Sequence, residues 1–463
     1  MTATKISRKV LGAIFATGIM SFCGVVVETA MNITFPTLMR EFHINTATVQ
    51  WMTTIYLLIV AIIVPLSALL KKRFVTKKLF LSANLLFMSG VLLDACAPDF
   101  GLLLVGRVLQ GLGTGIALPL MFNIILESVP ASKIGSMMGV GSLITAVAPA
   151  VGPTFGGLVV NSLGWRFIFI FLLPILLVSL GLGLVSIQQI NPLQAVHLDW
   201  LSLCTIILAF VGLIVGFSNL SNFTWWVAGS LLLGLIGLVG LTLRSQKIAQ
   251  PIINFAVFQN KRFCGHVLAF FTFNLISLGL AFILPNYIQL VNHHSAFKAG
   301  LIVLPGTAMG ALLAPFAGRI LDHWGARVPI LGGTILSVGA VICFNLQASQ
   351  LQDALIAFIY FFYMSGTGLA FGNIMTSGLQ NLSIAQQADG NAILNTLQQF
   401  AGACGTSIVA AIVAQGQKSW SQSLTLGTIF GSQHALFFLL LLGLLELVVL
   451  WLAVTARPQS TSA

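Results

Sequence analysis

Charge is what this sequence has least of. Asp, Glu, Lys and Arg together make up 7% of its 463 residues, against roughly 25% in a soluble globular domain. No water-facing exterior can be assembled from that, and a soluble protein with an unusually large core is excluded with it. Acid is the scarcer sign, with 10 Asp and Glu against 21 Lys and Arg and a net charge of +11. Cysteine is sparse too: Cys23, Cys96, Cys204, Cys264, Cys343 and Cys404 stand singly in apolar segments, with no CxxC and no metal-ligand spacing. They read as small packing residues. The GxSxG elbow, the GxxxxGK[ST] phosphate loop and the HExxH pair are all missing, so neither an enzyme nor an ATP-driven pump is expected, and no cofactor. His293 and His294 form an adjacent pair, too little for a metal site.

Long apolar runs are what remains, each about the 20 residues that cross a bilayer. Six come first, near Val10 to Met31, Val49 to Leu70, Leu79 to Ala97, Leu102 to Leu126, Gly135 to Val160 and Phe167 to Ile187. The first has a basic leader but no small-residue cleavage site, so it reads as a retained span. After the Asn191-Pro192 break come two plain Leu-rich runs, Trp200 to Leu220 and Trp225 to Leu243, which look like lipid-exposed spacers. Six more follow, near Cys264 to Val291, Ala299 to Ile320, Val328 to Leu346, Ala354 to Leu379, Ala392 to Ala414 and Ala435 to Thr455. The expected fold is therefore all-α and polytopic: a six-helix bundle over 1–190, two spacer helices and a linker over 191–262, and a second six-helix bundle over 263–463.

The basic residues set the orientation. With both termini in the cytoplasm, Lys5, Arg8, Lys9, Lys71, Lys72, Arg73, Lys77, Lys78, Lys133, Arg244, Lys247, Lys261, Arg262, Arg319, Arg327 and Arg457 fall inside, leaving Arg40, Arg166, Lys298 and Lys418 outside. That is the positive-inside bias of an even number of spans. It accounts for the positive charge as a topology signal and a contact for anionic lipid headgroups, with no nucleic-acid partner and no obligate protein partner expected. Each six-span block also carries a charged inside loop after its second span, Ala68 to Lys78 and Gly318 to Arg327. Internal repetition of this kind builds many secondary transporters, with the binding site between the halves near mid-membrane.

Polar residues inside spans narrow the site, since a charge at the bilayer centre costs about 2.5 to 3.5 kcal/mol. Glu28 stands in the outer part of the first span, with Thr17, Ser21 and Gly24 on the same helical face. Arg107 is expected at a matching depth in the fourth span, followed by Gln110, Gly111 and Thr114. Two readings of Glu28 and Arg107 stay open: a fixed ion pair that orients helices, or a coupling element. A carboxyl that alternates between dry and wet surroundings exchanges its proton, which guanidinium does not, so in the second reading Glu28 is the carrier. Asp94, near the outer end of the third span, belongs either to that set or to the wetted interface. Glu127 is expected at the inner boundary, Glu446 in the last span without a polar face, and His266 as a packed or hydrogen-bonded histidine.

The fifth span carries Gly135, Gly139, Ser142, Ala146, Pro149, Pro153 and Gly156 at steps of three or four, a stripe that permits close, kinked packing between halves or ordinary tight packing. Asn391, Asn395, Gln398 and Gly402 share a face of the thirteenth span, and Asn274, Asn286, Tyr287 and Gln289 lie on the ninth. They suit a wet cavity or hydrogen bonding between helices.

These residues resemble the major facilitator superfamily, specifically its fourteen-span drug:proton antiporters of the QacA/EmrB type, over nearly the whole chain. Glu28 to Pro36 looks like the first-span motif, Gln50-Trp51 with Tyr56 the start of the second span, and Gly106 to Gly113 the fourth-span motif, whose Arg the family implicates in proton coupling. Gly152-Pro153 with Gly156-Gly157 resembles the end of the antiporter motif; Trp165-Arg166, Asp199-Trp200 and Gly318 to Asp322 with Gly325 also match. Two positions depart from the pattern. The first-span acid is Glu28 where the family has Asp, and Lys72 and Val75 stand where the loop after the second span usually has an acid and a glycine.

The resemblance implies a proton-coupled exporter of small hydrophobic or cationic compounds in a bacterial plasma membrane, with protons as the coupling ion. Glu28, Arg107 and Asp94 would couple protons; Thr17, Ser21, Gln110, Thr114, Asn274, Tyr287, Asn391, Asn395 and Gln398 would line the substrate cavity. Gly139, Pro149, Gly152, Pro153, Gly156 and Gly157 would form the moving seam, and Arg73, Asp322 and Arg327 the gating loops. A transporter of one metabolite (a sugar, peptide or organic anion) and a non-transporting sensor or scaffold are the alternatives.

Overall fold

In the computed structural model the described residues are 6–130, 134–189, 192–193, 199–220, 224–248, 251–420 and 422–455, and among them the fold is helical throughout. Lys5, Lys133, Asn191 and Arg457 lie outside the described residues, as do the side chains of Gly135, Gly139, Ser142, Ala146 and Asp322. The first bundle comprises α1 (Arg8–Glu41), a second span in three pieces, α2 (Thr46–Val49), α3 (Trp51–Ile63) and α4 (Ser67–Arg73), then α5 (Thr76–Ala95), α6 (Phe100–Ser128), α7 (Ile134–Ser162) and α8 (Arg166–Ser186). The spacers are α9 (Trp200–Ser218) and α10 (Trp225–Ser245). The second bundle holds α11 (Lys261–Leu290), α12 (Ala296–Trp324), α13 (Arg327–Leu346), α14 (Asp353–Gln380), α15 (Ile384–Ser419) and α16 (Leu424–Thr455). Thirteen of these segments are long and apolar enough to cross a membrane among the described residues; the 29-residue α7 completes the fourteen.

Local chemistry sets the helix ends. Asp99 accepts from Leu102 N at 2.9 Å to start α6, and Asp199 accepts from Ser202 N at 3.0 Å to start α9, each satisfying an amide that has no partner within its helix. Pro65 falls in the short 3-10 turn Val64–Leu66, where its missing N–H breaks the second span between α3 and α4. Gly325, at φ 74°, ends α12 in the left-handed region that favours glycine.

The spacers are less independent of the bundles than a lipid-exposed pair would be. They pack on one another backbone to backbone, where a methyl on Gly237 would come within 2.4 Å of Ala209 N. Phe210 of α9 stacks on Phe400 of α15 with centroids 4.5 Å apart. Arg244 closes the pair at the basic end by donating from Nε at 3.1 Å and Nη2 at 2.9 Å to the Asp199 carboxylate. Those bonds hold the Asp199 carboxyl far below the usual carboxylate range. The clamp is therefore complete above about pH 4, the ordinary Asp value, and opens only in strong acid.

Contacts between the two bundles gather at the end opposite the basic loops. There a methyl on Gly157 of α7 would meet Ala296 O at 2.5 Å, and one on Gly300 of α12 would meet Pro153 O at 2.6 Å. Thr46 donates to Gln417 Oε1 at 2.6 Å, Thr54 Oγ1 lies 3.2 Å from Thr406 Oγ1 and 3.0 Å from Ser407 Oγ, and Gln289 donates to Ile33 O at 3.0 Å. At the basic end no hydrogen bond or ion pair joins the bundles among the described residues, and Asn391 of α15 is exposed there. The halves are closed at one end and part toward the other, an arrangement open to the side that the positive-inside rule makes cytoplasmic.

If the close approach of α7 to α12 holds that closed end, Gly157→Val should force the two helix ends apart. Spin labels on the far ends of α7 and α12 would then show a longer distance, by a few ångströms, than in the wild type. An unchanged distribution would mean that the glycine contact does not hold this end shut.

Candidate functional site

Arg107 is the side chain that organises the N-terminal bundle. It sits in the second turn of α6 with 0% exposure, and α5 reaches it because both helices are bare of side chains where they cross. A methyl on Gly90 would lie 2.5 Å from Gly106 O, and one on Gly113 would lie 2.6 Å from Ala83 O. Arg107 Nε donates to Met52 O of α3 at 3.0 Å, and Nη1 donates to Gln110 Oε1 at 2.6 Å. Its guanidinium lies 4.3 Å from the centroid of the Tyr56 ring, which adds a cation–π contact of about 2 kcal/mol in a desolvated setting. Gln110 passes the interaction on, donating from Nε2 to Asp94 Oδ2 at 2.7 Å. Asp94 is fully buried, not wetted at an interface, because Gly106 leaves it room: a methyl there would fall 1.8 Å from Oδ1. Two atoms of this relay, Arg107 Nη2 and Asp94 Oδ1, have no hydrogen-bond partner among the described residues.

Glu28 faces this cluster from α1 without joining it. The helix runs to Glu41, ten residues past the expected apolar run, so Glu28 lies about 20 Å from the helix end at 1.5 Å per residue. Arg107, which it faces, lies seven residues from the start of α6, about 10 Å at 1.5 Å per residue, so the two stand at a level near the outer end of that helix. Glu28 is half-buried, and among the described residues it makes neither a hydrogen bond nor an ion pair with Arg107. The two side chains act on one another through space, with Tyr56 between them, its hydroxyl 3.0 Å from both Gly24 O and Thr114 Oγ1. Of the two open readings, a fixed ion pair is not formed among the described residues: Met52 O and Gln110 take Nε and Nη1, the Tyr56 ring lies against the guanidinium, and Nη2 is left without a partner.

The other residues expected at a cavity divide. Gln110 and Thr114 belong to the Arg107 cluster. Thr17 and Ser21 are buried on α1 and turn back to their own helix, on Ala13 O at 2.8 Å and Thr17 O at 2.9 Å. Asn274 does the same on Phe270 O at 2.7 Å. Tyr287 lies apart: buried near the closed end, its hydroxyl sits 3.4 Å from Ala348 O and anchors the connection between α13 and α14. Asn395 donates to Asn391 O at 2.8 Å near the open end, and Gln398 is half-buried one turn deeper.

The stripe on α7 serves two interfaces. Gly152 and Gly156 pack on α1, where methyls would meet Thr29 Oγ1 at 1.9 Å and Ala30 O at 2.7 Å, while Pro153 and Gly157 meet α12. Pro149 is half-buried along the same helix. Of the gating residues, Arg73 stacks over Phe74 at 5.8 Å and Arg327 donates to Val454 O at 3.3 Å. Neighbouring Lys71 pairs with Glu127, tying α4 to α6 where the loop lacks its usual acid. His266 is satisfied by Arg262 O at 2.9 Å and Ser377 Oγ at 3.1 Å.

Three features escaped the linear pattern. The Lys71–Glu127 pair joins residues 56 positions apart in numbering, and the Asp94 link through Gln110 depends on the α5–α6 crossing. The latch of Gln50, Thr54, Thr406 and Ser407 has one sequence signal, the four-residue spacing that lets Thr54 donate to Gln50.

A family model described as Major Facilitator Superfamily matches residues 17–406. The chain is 34% identical over 467 residues to the lincomycin resistance protein LmrB of Bacillus subtilis, covering 96% of this chain and 97% of that one. It is 28% identical to a multidrug resistance protein B homolog of Mycobacterium tuberculosis, covering 83% and 73% respectively. Among solved structures, an auto-inhibited POT family peptide transporter superposes with a TM-score of 0.73 at 14% identity, covering 99% of each chain. A bacterial homolog of the human lysosomal transporter Spinster, inward-facing and unoccupied, gives 0.70 at 13% identity, covering 96% and 97%. These last two likenesses speak to fold.

The Gly106–Asp94 contact yields a thermodynamic test. Gly106→Ala should destabilise the protein by about 1 to 3 kcal/mol through overpacking, seen as a lower midpoint in thermal unfolding. In an Asp94→Ala background the same substitution should cost less, since the nearest atoms it strikes are gone and Gly90 O, at 2.8 Å, remains. Equal costs in both backgrounds would place the clash elsewhere.

Proposed function

Because the chain belongs to the major facilitator superfamily, we propose that it is a proton-coupled exporter of small hydrophobic or cationic compounds, lincosamides among them, working by alternating access between its two bundles. The observation that carries this reading is Glu28: a half-buried carboxyl within a membrane-spanning helix, without a hydrogen bond or ion pair among the described residues, beside a buried arginine cluster that cannot give up its charge. With the halves parted at the basic end, Glu28 gives its proton to the cytoplasmic side as a substrate arrives. Opening at the opposite end recharges it from outside. A carboxyl exposed alternately to two solvents exchanges a proton with each in turn. The inward driving force includes about 2.3 kcal/mol per elementary charge for each 100 mV of potential, besides the pH gradient.

In this cycle Arg107 fixes the field at Glu28. Tyr56 keeps the two apart, so a cationic substrate can approach the carboxylate without first displacing a salt bridge. Cavity-facing polar groups such as Gln398 and Asn395 supply hydrogen bonds, and the apolar walls take up compounds of varied shape. Resistance relatives at 34% and 28% identity support a drug cargo. The likeness to peptide transporters at 14% identity says nothing about cargo.

Glu28→Gln is the direct test. Expression should hold, while proton-driven resistance to lincomycin and substrate-induced proton release are lost. Wild-type pumping by the variant would remove Glu28 from the coupling step. Failure of the wild type to respond to lincomycin or to lipophilic cations would remove the export reading itself.

A further inference from the structure

The C-terminal bundle holds a carboxyl that the cycle above leaves unused. Glu446 lies on α16, whose surface is otherwise largely exposed, yet its own side chain is only 2% exposed. Its Oε1 has no hydrogen-bond partner among the described residues, and no cation pairs with it. The packing fixes its neighbours. A methyl on Gly443 would meet Val338 of α13 at 3.3 Å and Ile276 of α11 at 3.8 Å. Since α13 and α16 are antiparallel, Thr334, one turn from Val338, comes level with Glu446, about one turn from Gly443. Thr334 is fully buried and its Oγ1 is also without a partner.

Tyr363 of α14 lies within electrostatic reach of Glu446 and ends in a hydroxyl 2.8 Å from Ser277 Oγ of α11. Ser277 is half-exposed, so the hydroxyl pair leads from the buried carboxyl toward an accessible face of α11. Tyr360 stacks on Tyr363 at 6.0 Å, and His266 of α11 is turned toward Ser377. Toward their ends the elements packed against Glu446 also carry Lys261, Arg262, Cys264 and Tyr287 on α11, Arg327 and Cys343 on α13, and Asp353 on α14; α13 brings the hydroxyls Thr334 and Ser337. A buried carboxyl with no partner is tolerated as the neutral acid.

A purely structural polar contact at this level needs no acid. In the N-terminal bundle the corresponding sixth helix places Ser179 there, accepting from Asn84 at 3.2 Å and donating to Ala16 O at 2.7 Å. We propose that Glu446 is a second proton-binding site, carried by the C-terminal bundle and reached by way of the Tyr363–Ser277 hydroxyl pair. Release breaks the carboxyl O–H bond and passes the proton along those hydroxyls to water, leaving the carboxylate; uptake reverses it. This deepens the proton-coupled reading and rests on it for the use of the proton, though not for its binding.

The test uses the purified full-length chain in lipid nanodiscs without substrate, titrated with pH while infrared difference spectra follow the carbonyl stretch of protonated carboxyls. Glu446→Gln should lose one titrating band that Glu28→Gln retains, and proton uptake across the titration should fall by one per molecule. Tyr363→Phe should keep the band but slow its exchange with deuterated water. Where Glu446→Gln does not fold, Glu446→Asp should shift the same band. An unmoved band in these variants, or a Glu446 band present at every pH, would overturn the proposal and leave Glu446 a permanently neutral packing group. Substrate-induced proton release is scored separately, so its absence beside an intact Glu446 band would count against the transport reading alone.

Discussion

A guanidinium with no exposed surface, in a solvent that offers it nothing, has to be answered entirely by protein. Arg107 is answered from three helices: a carbonyl of α3, Gln110 on its own α6, and Asp94 of α5 through Gln110. Leaving a buried charged group without its hydrogen bonds costs more than the about 1 to 3 kcal/mol of a neutral one, so α3, α5 and α6 are held in register more firmly than apolar packing between membrane helices would hold them. Glycines at 90, 106 and 113 are part of that answer, because they set the distance at which α5 presents its acid. The N-terminal bundle therefore behaves as one body around its buried charge.

Motion has to fall where no such network crosses, and the contacts between bundles are of a different kind. They consist of backbone approach at Gly157 and Gly300, and of neutral hydrogen bonds such as Thr46 to Gln417 and Gln289 to Ile33. A neutral hydrogen bond is worth about 0.5 to 1.5 kcal/mol net, so a handful can break and be replaced by water without stranding a charge. The α7 stripe divides along the same line. Gly152 and Gly156 bind α7 to its own bundle through α1, while Gly157 and Pro153 touch the other. The spacer α9, stacked on α15 through Phe210 and Phe400, rides on the second bundle's side of the seam.

Composition and run length were enough for the architecture, because a bilayer leaves few alternatives for twenty apolar residues in a row. The fourteen spans, their six-two-six grouping and the order of Glu28, Arg107 and the α7 stripe were all legible. Depth and partnership were not. Helix α1 continues through Pro36 to Glu41, so the hydrophobic run understated its length. Asp94, near the end of α5, stood open between the coupling set and the wetted interface; the crossing of α5 on α6 buries it. Tyr287, expected in the cavity with Asn274, lies thirteen residues further along α11, near the closed end. Glu446 showed no polar face because its polar neighbours come from α13 and α14, and one-helix periodicity cannot see across helices.

Charge balance connects the buried network to the proposed exchange. Around Arg107 the N-terminal bundle places two acids, Asp94 and Glu28, against one fixed positive charge. With both acids ionised the cluster carries one negative charge too many. One proton removes it; so does one monovalent cation. Closing the seam over an uncompensated charge is costly, so the bundles close readily in either loaded condition and poorly in the empty one. Compulsory exchange of a proton for a cation needs no more than that. A neutral cargo meets a different constraint: it cannot supply the missing charge, so it must displace the proton through contact with Glu28, which the absence of a fixed salt bridge leaves accessible.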